Sequence, residues 1–172
     1  MLIHAAGVPA KNAASSTTAA QWNEVMSVNA TGTFLVNQAA YRPLRESRGT
    51  VLNFTSAAGI RGAAGWGAYS ASKGAVLSWS RSIALEWGPD GIRVNCVAPV
   101  IATPMFDSVR ATMSPDDLAA WDAQLKAAIP LGGRPGDARE DLVPVLAFLS
   151  SKECTFVTGQ VFCVDGGQVM VR

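Results

Sequence analysis

Three short runs rich in β-branched residues, Thr50-Val51-Leu52-Asn53-Phe54, Ile92-Arg93-Val94-Asn95-Cys96-Val97 and Gln160-Val161-Phe162-Cys163-Val164, are separated by stretches patterned as helices. The opening Met1-Leu2-Ile3 reads as the tail of a fourth strand. Helical patterning covers residues 19–46, 70–87, 115–128 and 138–150, long enough to carry crossovers between parallel strands. The resulting β-α-β-α-β-α-α-β order predicts an α/β domain, a parallel sheet with helices on both faces, with ligands beyond the carboxyl ends of the strands. A chain that opens inside a buried strand leaves that strand an apolar free edge, so the domain is expected to be partial, truncated at its amino terminus.

The helix ends agree with this pattern. Ser114, Pro115 and Asp117 supply a hydroxyl cap, a preset first turn and an acid near the positive end of the helix dipole, ahead of an apolar stripe of Leu118, Trp121 and Leu125. Asp137 and Glu140 mark another start, where Pro144 should kink the helix or delay it by removing a donor.

No repeat, linker or low-complexity tract divides the 172 residues, which are read as a single domain over 1–172. Charged residues make up 16% against a norm of about 25%, and the net charge is +1. Such a chain has no field to gather nucleic acid or an anionic membrane. The longest apolar run, Val94 to Phe106, carries Pro99 and Pro104 and falls short of the roughly 20 residues a spanning helix needs. Met1-Leu2-Ile3-His4 has neither a cationic start nor a long apolar stretch, so a signal peptide is not expected. Cys96, Cys154 and Cys163 lack close ligand spacing and read as reduced, mostly buried thiols of a cytoplasmic protein with no metal site.

Chemistry concentrates in a few places. Tyr69 and Lys73 stand four residues apart in Tyr-Ser-Ala-Ser-Lys, on one face of a helix, where a nearby ammonium would favour phenolate and bring the phenol toward neutral-pH proton exchange. The alternative is an exposed Tyr and a solvated Lys. Ser56 follows the strand ending at Phe54, where a hydroxyl can hold a substrate oxygen or simply cap a helix. Ser-Ala-Ala-Gly is not a nucleophile elbow, and His4 is the only histidine, which excludes a Ser-His hydrolase. The loop Gly59 to Gly67 lacks phosphate-cradle spacing and reads as a flexible connection beside the site. Asn29 interrupts a helical stretch with an amide that needs partners or water, or packs between helices.

Asn29, Ser56, Tyr69 and Lys73 in that order, with Ala6-Gly7, Arg93-Val94-Asn95, Pro99, Thr103-Pro104 and Asp165-Gly166-Gly167, closely resemble the short-chain dehydrogenase/reductase family over nearly the whole chain. The resemblance implies a Rossmann-like sheet and hydride transfer between NAD or NADP and a small-molecule alcohol or ketone. It assigns Tyr69 as acid/base, Lys73 to lowering the Tyr69 pKa and holding the nicotinamide ribose, Ser56 to orienting the carbonyl, and Asn29 to a water in a proton relay. It also places His4, Ala6, Gly7, Pro99, Ile101 and Thr103, with Tyr69 and Lys73, against the cofactor. Residues 103–131 resemble the family's variable substrate lid, making Met105, Phe106, Leu118 and Trp121 pocket or core residues. A homodimer or homotetramer is implied, with the helices at 19–46 and 70–87 as its faces.

Three departures qualify the likeness. The glycine-rich pyrophosphate turn and the residue that selects NAD or NADP are not in this chain. His4-Ala5-Ala6-Gly7 replaces Asn-Asn-Ala-Gly, so His4 is a strand-end substitute. Pro99-Val100-Ile101-Ala102-Thr103 is one residue shorter than Pro-Gly-x-Ile-x-Thr. Two classes are therefore open: a ketone/alcohol oxidoreductase, or a non-catalytic remnant or oligomerisation module that keeps the Tyr-Lys framework without binding dinucleotide.

Overall fold

In the computed structural model, which describes residues 1–170, β1 (Leu2–His4), β2 (Thr50–Phe54), β3 (Arg93–Pro99) and β4 (Val161–Val164) form one parallel sheet in that order. Register pairs His4 with Asn53, Val51 with Val94 and Phe54 with Val97. All four expected strands are present. The third and fourth are displaced by a residue or two at their ends, the usual margin where pairing frays.

The first helical stretch, which the sequence marks as interrupted at Asn29, is three pieces: α1 (Ala19–Met26), a wide π-type turn at Ser27–Thr31, and α2 (Gly32–Ser47). Thr18 and Gln21 cap α1 reciprocally, each side chain meeting the other's backbone amide. A five-residue helix α3 (Ala57–Arg61), not expected from the sequence, precedes α4 (Gly67–Trp87). The lid region contains α5 (Pro104–Arg110) and α6 (Pro115–Ala128), the latter capped by Ser114 as its sequence indicates. Asp137 caps a second wide turn at Ala138–Leu142, and α7 (Val143–Ser150) begins where Pro144 fits a first turn, the predicted delay.

Helices cover both faces because successive strand residues point opposite ways. Val51 and Val94 pack with Leu44 of α2 and Ile83, Ala84 and Trp87 of α4. Leu52 and Val97 pack with Leu142, Leu149 and Cys154 on the other side. Each such side chain, removed completely from water, contributes about 1.5–3 kcal/mol. The buried asparagines of this core are paired. Asn37 and Asn53 exchange amide hydrogen bonds at 3.0 and 2.7 Å, Asn53 also donates to Ser80, and Trp79 donates to Asn37. Asn95 ties the approach to β4 by donating to Val157 O and accepting from Gln160 N. Cys96, Cys154 and Cys163 are all free thiols. Among the described residues no helix is long and apolar enough to cross a membrane.

Candidate active site

The cavity opens at the carboxyl ends of β2 and β3, where parallel sheets place ligands. It holds about 870 Å³, and its lining includes Ser56, Tyr69, Pro99, Ile101 and Thr103. Ser56 sits two residues past the end of β2 and caps α3 by accepting from Ala58 N at 3.2 Å. The cap and the cavity position coexist: the cap uses one lone pair and leaves the hydroxyl proton free to donate. Tyr69, half-buried in the first turn of α4, stacks edge-on against Trp66 with ring centroids 5.6 Å apart.

Lys73 lies one turn further along α4, 5% exposed, and donates to Phe54 O at 2.9 Å. That contact spends one of three ammonium donors and pins the side chain beneath the strand end. Its Nζ is 6.0 Å from the Tyr69 ring centroid. Burial lowers the Lys73 pKa to about 8. The expected acidification of Tyr69 does not appear: burial of the phenol raises its pKa, and only the Ser56 hydroxyl pulls the other way. Desolvation governs both groups because the ammonium is turned toward a backbone carbonyl rather than the phenol oxygen.

Asn29, fully buried in the wide turn, is a clasp. Its Oδ1 accepts from Val8 N at 2.8 Å, its Nδ2 donates to Val8 O and Ser72 Oγ, both at 3.0 Å, and Ser72 in turn donates to Tyr69 O. The amide thus joins the segment after β1 to the turn of α4 that carries Tyr69. Its own carbonyl accepts from Thr33 at 2.6 Å. Gly7 is held against this clasp: a Cβ there would stand 3.1 Å from Asn29 Oδ1 and 3.2 Å from Lys73 Nζ. Gly59 is likewise required, since a Cβ would come within 2.7 Å of Lys73 backbone where α3 crosses α4. The loop expected to be flexible is partly this short helix.

The remaining predicted positions divide. His4 ends β1 with Nε2 buried and unpartnered, and its pKa is lowered first by desolvation and then by the Lys73 charge. Ala6 is exposed and does not line the cavity. Ile101, 7% exposed, packs into the core beside Leu52 and Val97. The short loop is stitched instead of open: Ala102 N donates to Gly136 O and Gly136 N to Val100 O, both at 3.0 Å. Thr103 caps α5 by accepting from Phe106 N. Of the lid candidates, Met105, Phe106 and Trp121 line the cavity and Leu118 does not; Leu125, the buried residue of α6, lines it too. Lys11, Arg61 and Trp66 line it too, and no local spacing in the sequence marks them.

A family model described as enoyl-(acyl carrier protein) reductase matches residues 1–168. The chain is 39% identical over 99% of its length to "Inactive 2-(S)-hydroxypropyl-CoM dehydrogenase 2" of Xanthobacter autotrophicus, spanning 73% of that protein. It is 36% identical over 99% of its length to "2-(S)-hydroxypropyl-CoM dehydrogenase 3" of the same organism, spanning 66% of it. A crystal structure from Agrobacterium tumefaciens, described as a gluconate dehydrogenase, superposes with a TM-score of 0.88 at 27% identity, over 99% of this chain and 66% of that one. Matching motif order, parallel architecture and these likenesses together place the chain in the short-chain dehydrogenase/reductase family of oxidoreductases.

Proposed function

We propose that this chain carries the reacting groups of an NAD(P)-dependent oxidoreductase that interconverts a secondary alcohol and a ketone, with Tyr69 exchanging the proton. The observation that carries this reading is the meeting of Ser56 and Tyr69 on one cavity wall, above a buried Lys73. Nicotinamide, when bound, supplies or accepts the hydride. Ser56 donates a hydrogen bond to the substrate oxygen, and Tyr69 gives its proton to that oxygen as negative charge develops there. A phenol held above its ordinary pKa enters protonated, the form needed to reduce a ketone.

The donor set suits the nicotinamide end of a dinucleotide. Lys73 keeps two N–H groups beyond its bond to Phe54 O, enough to hold a pair of ribose hydroxyls, and the bare backbone at Gly7 lies against it. Gly7, Pro99 and Thr103 would flank the ring, and Asn29 would act through Val8 and Ser72 as a positioning residue in place of the water relay the resemblance implies. Exposed Leu35 on α2 and Leu85 on α4, 53% and 83% accessible, favour a homodimer or homotetramer through those helices.

Tyr69→Phe should lower ketone reduction by roughly 10³-fold or more while leaving the far-ultraviolet spectrum unchanged. Retention of a tenth of wild-type turnover would remove Tyr69 from the mechanism. A second reading, a framework that no longer binds dinucleotide, is favoured by the relative whose name begins "Inactive" and by the stitched loop at 100–102. Titration with NADH and NADPH separates the two: binding near micromolar excludes the second, and no binding by either excludes the first.

A further inference from the structure

The cavity is apolar and aromatic over most of its wall, with Trp66, Phe106 and Trp121 among its lining, yet it holds two cations. Lys11 and Arg61 both reach it, and neither has a carboxylate partner among the described residues. Elsewhere the arginines that meet acids are Arg45 on Asp90 and Arg110 on Asp122. Lys11 instead lies 5.7 Å over the Trp121 ring of α6, its partner an aromatic face. The single carboxylate in the lining, Asp117, accepts from Ser114 Oγ in the first turn of α6 and is stabilised there by the helix dipole. Both cations are fixed to one frame, because Asn12 N donates to Gly65 O at 2.8 Å and joins the Lys11 segment to the loop that follows Arg61.

We propose that the substrate is a ketone or alcohol carrying an anionic group, a carboxylate or one of like charge, on an apolar or aromatic body, with the anion received by Lys11 and Arg61. This rests on the reading that Ser56 and Tyr69 hold the reacting oxygen. An anion gains charge-assisted hydrogen bonds from two unpaired cations, whereas a neutral analogue of the same shape gains none. The Lys11 ammonium then exchanges an aromatic face for an acid, so binding loosens the contact between the 8–12 segment and α6. The preference is for a net charge on the ligand and is compressed by salt.

The test uses tryptophan fluorescence of the full chain, with Trp66 and Trp121 as reporters, titrated with 4-acetylbenzoate and with 4-acetylbenzamide. The acid should bind about tenfold more tightly at low ionic strength, and about 0.5 M NaCl should shrink that margin. The double variant Lys11→Gln, Arg61→Gln, altered only at exposed side chains, should bind the two probes to within about twofold of each other. Equal affinities in the wild type, no binding of either probe, or a preference that survives in the double variant would each overturn the proposal. The two readings fail separately. A charge preference that persists while Tyr69→Phe reduces ketones at the wild-type rate removes the redox reading alone, and turnover of both probes with no charge preference removes the anion site alone.

Discussion

On one side of the cavity Tyr69 and Lys73 ride on α4, which buries nine residues against the sheet and its neighbours. On the other side α5 buries none and α6 only Leu125. The first wall is tied by buried side-chain hydrogen bonds through Asn29, Ser72, Asn53 and Ser80, each of which joins two or more elements. The second is held by its caps, by the Arg110–Asp122 pair and by edge-on packing of Phe106 on Trp121 at 5.8 Å. The groups proposed to meet a reacting atom are set in a rigid frame, while the opposite wall is lightly anchored and can vary without disturbing them.

Substitutions should expose that contrast as a graded series. Beyond the turnover loss of Tyr69→Phe, the largest effect belongs to Asn29→Ala, which strips partners from Val8 N, Val8 O and Ser72 at once. It should cost roughly 3 kcal/mol in urea unfolding, and a cost below about 1 kcal/mol would mean the clasp is not structural.

Lys73 gives a smaller effect with a distinct pH signature. Its folded pKa, about 8, lies below its ordinary 10.5, so between those values the folded chain has released a proton that the unfolded chain still holds. Stability therefore rises as pH climbs above 8, and below pH 8 the full penalty of a buried charge is present. Cys96, pushed up to about 11 from 9.0 by burial, acts in reverse above pH 9, where the unfolded thiol ionises first. Between pH 8 and 9 Lys73 contributes a gain of about 1 kcal/mol, partly offset toward pH 9 by the raised thiols of Cys96 and Cys163, and the lysine's part should vanish in Lys73→Met. An identical slope in the variant would place the titration elsewhere.

Smallest of all is Trp121→Ala. It should leave global unfolding within about 0.5 kcal/mol while speeding amide exchange across residues 104–128. Equal loss of protection in α4 would show the two walls to be one cooperative unit.

How much of this was legible in the sequence follows the same division. The strands and the caps at Ser114 and Asp137 were readable because their signals are local: β-branched runs, a hydroxyl before an acid, a proline in a first turn. Ser56 and Tyr69 were found through motif order, and the structure gives them one cavity. The direction of the Tyr69 shift was misjudged because spacing reports that two side chains share a helix face but not where an ammonium points. The roles of Ile101 and Thr103 depended on the path of a loop, which is set by Gly136, far along the chain, through its hydrogen bonds with Val100 and Ala102. Lys11 and Arg61 were invisible for the same reason: they share the cavity lining across a backbone contact between Asn12 and Gly65 that no local spacing signals.

The wide turn at Ser27–Thr31 has a further consequence for how the chain tolerates change. Val25, Asn29, Thr33 and Asn37 are all buried, a strict four-residue rhythm. A regular helix of 3.6 residues per turn would slip about 40° at each such step and carry the stripe off its packing face. The widened turn takes up the surplus and resets the phase midway, so both halves keep their inner face aligned. Removing one residue from it, a change that would look like a repair to helical geometry, would swing α1 by about 100° about its axis relative to α2 and break the alignment of Val25 with Asn37.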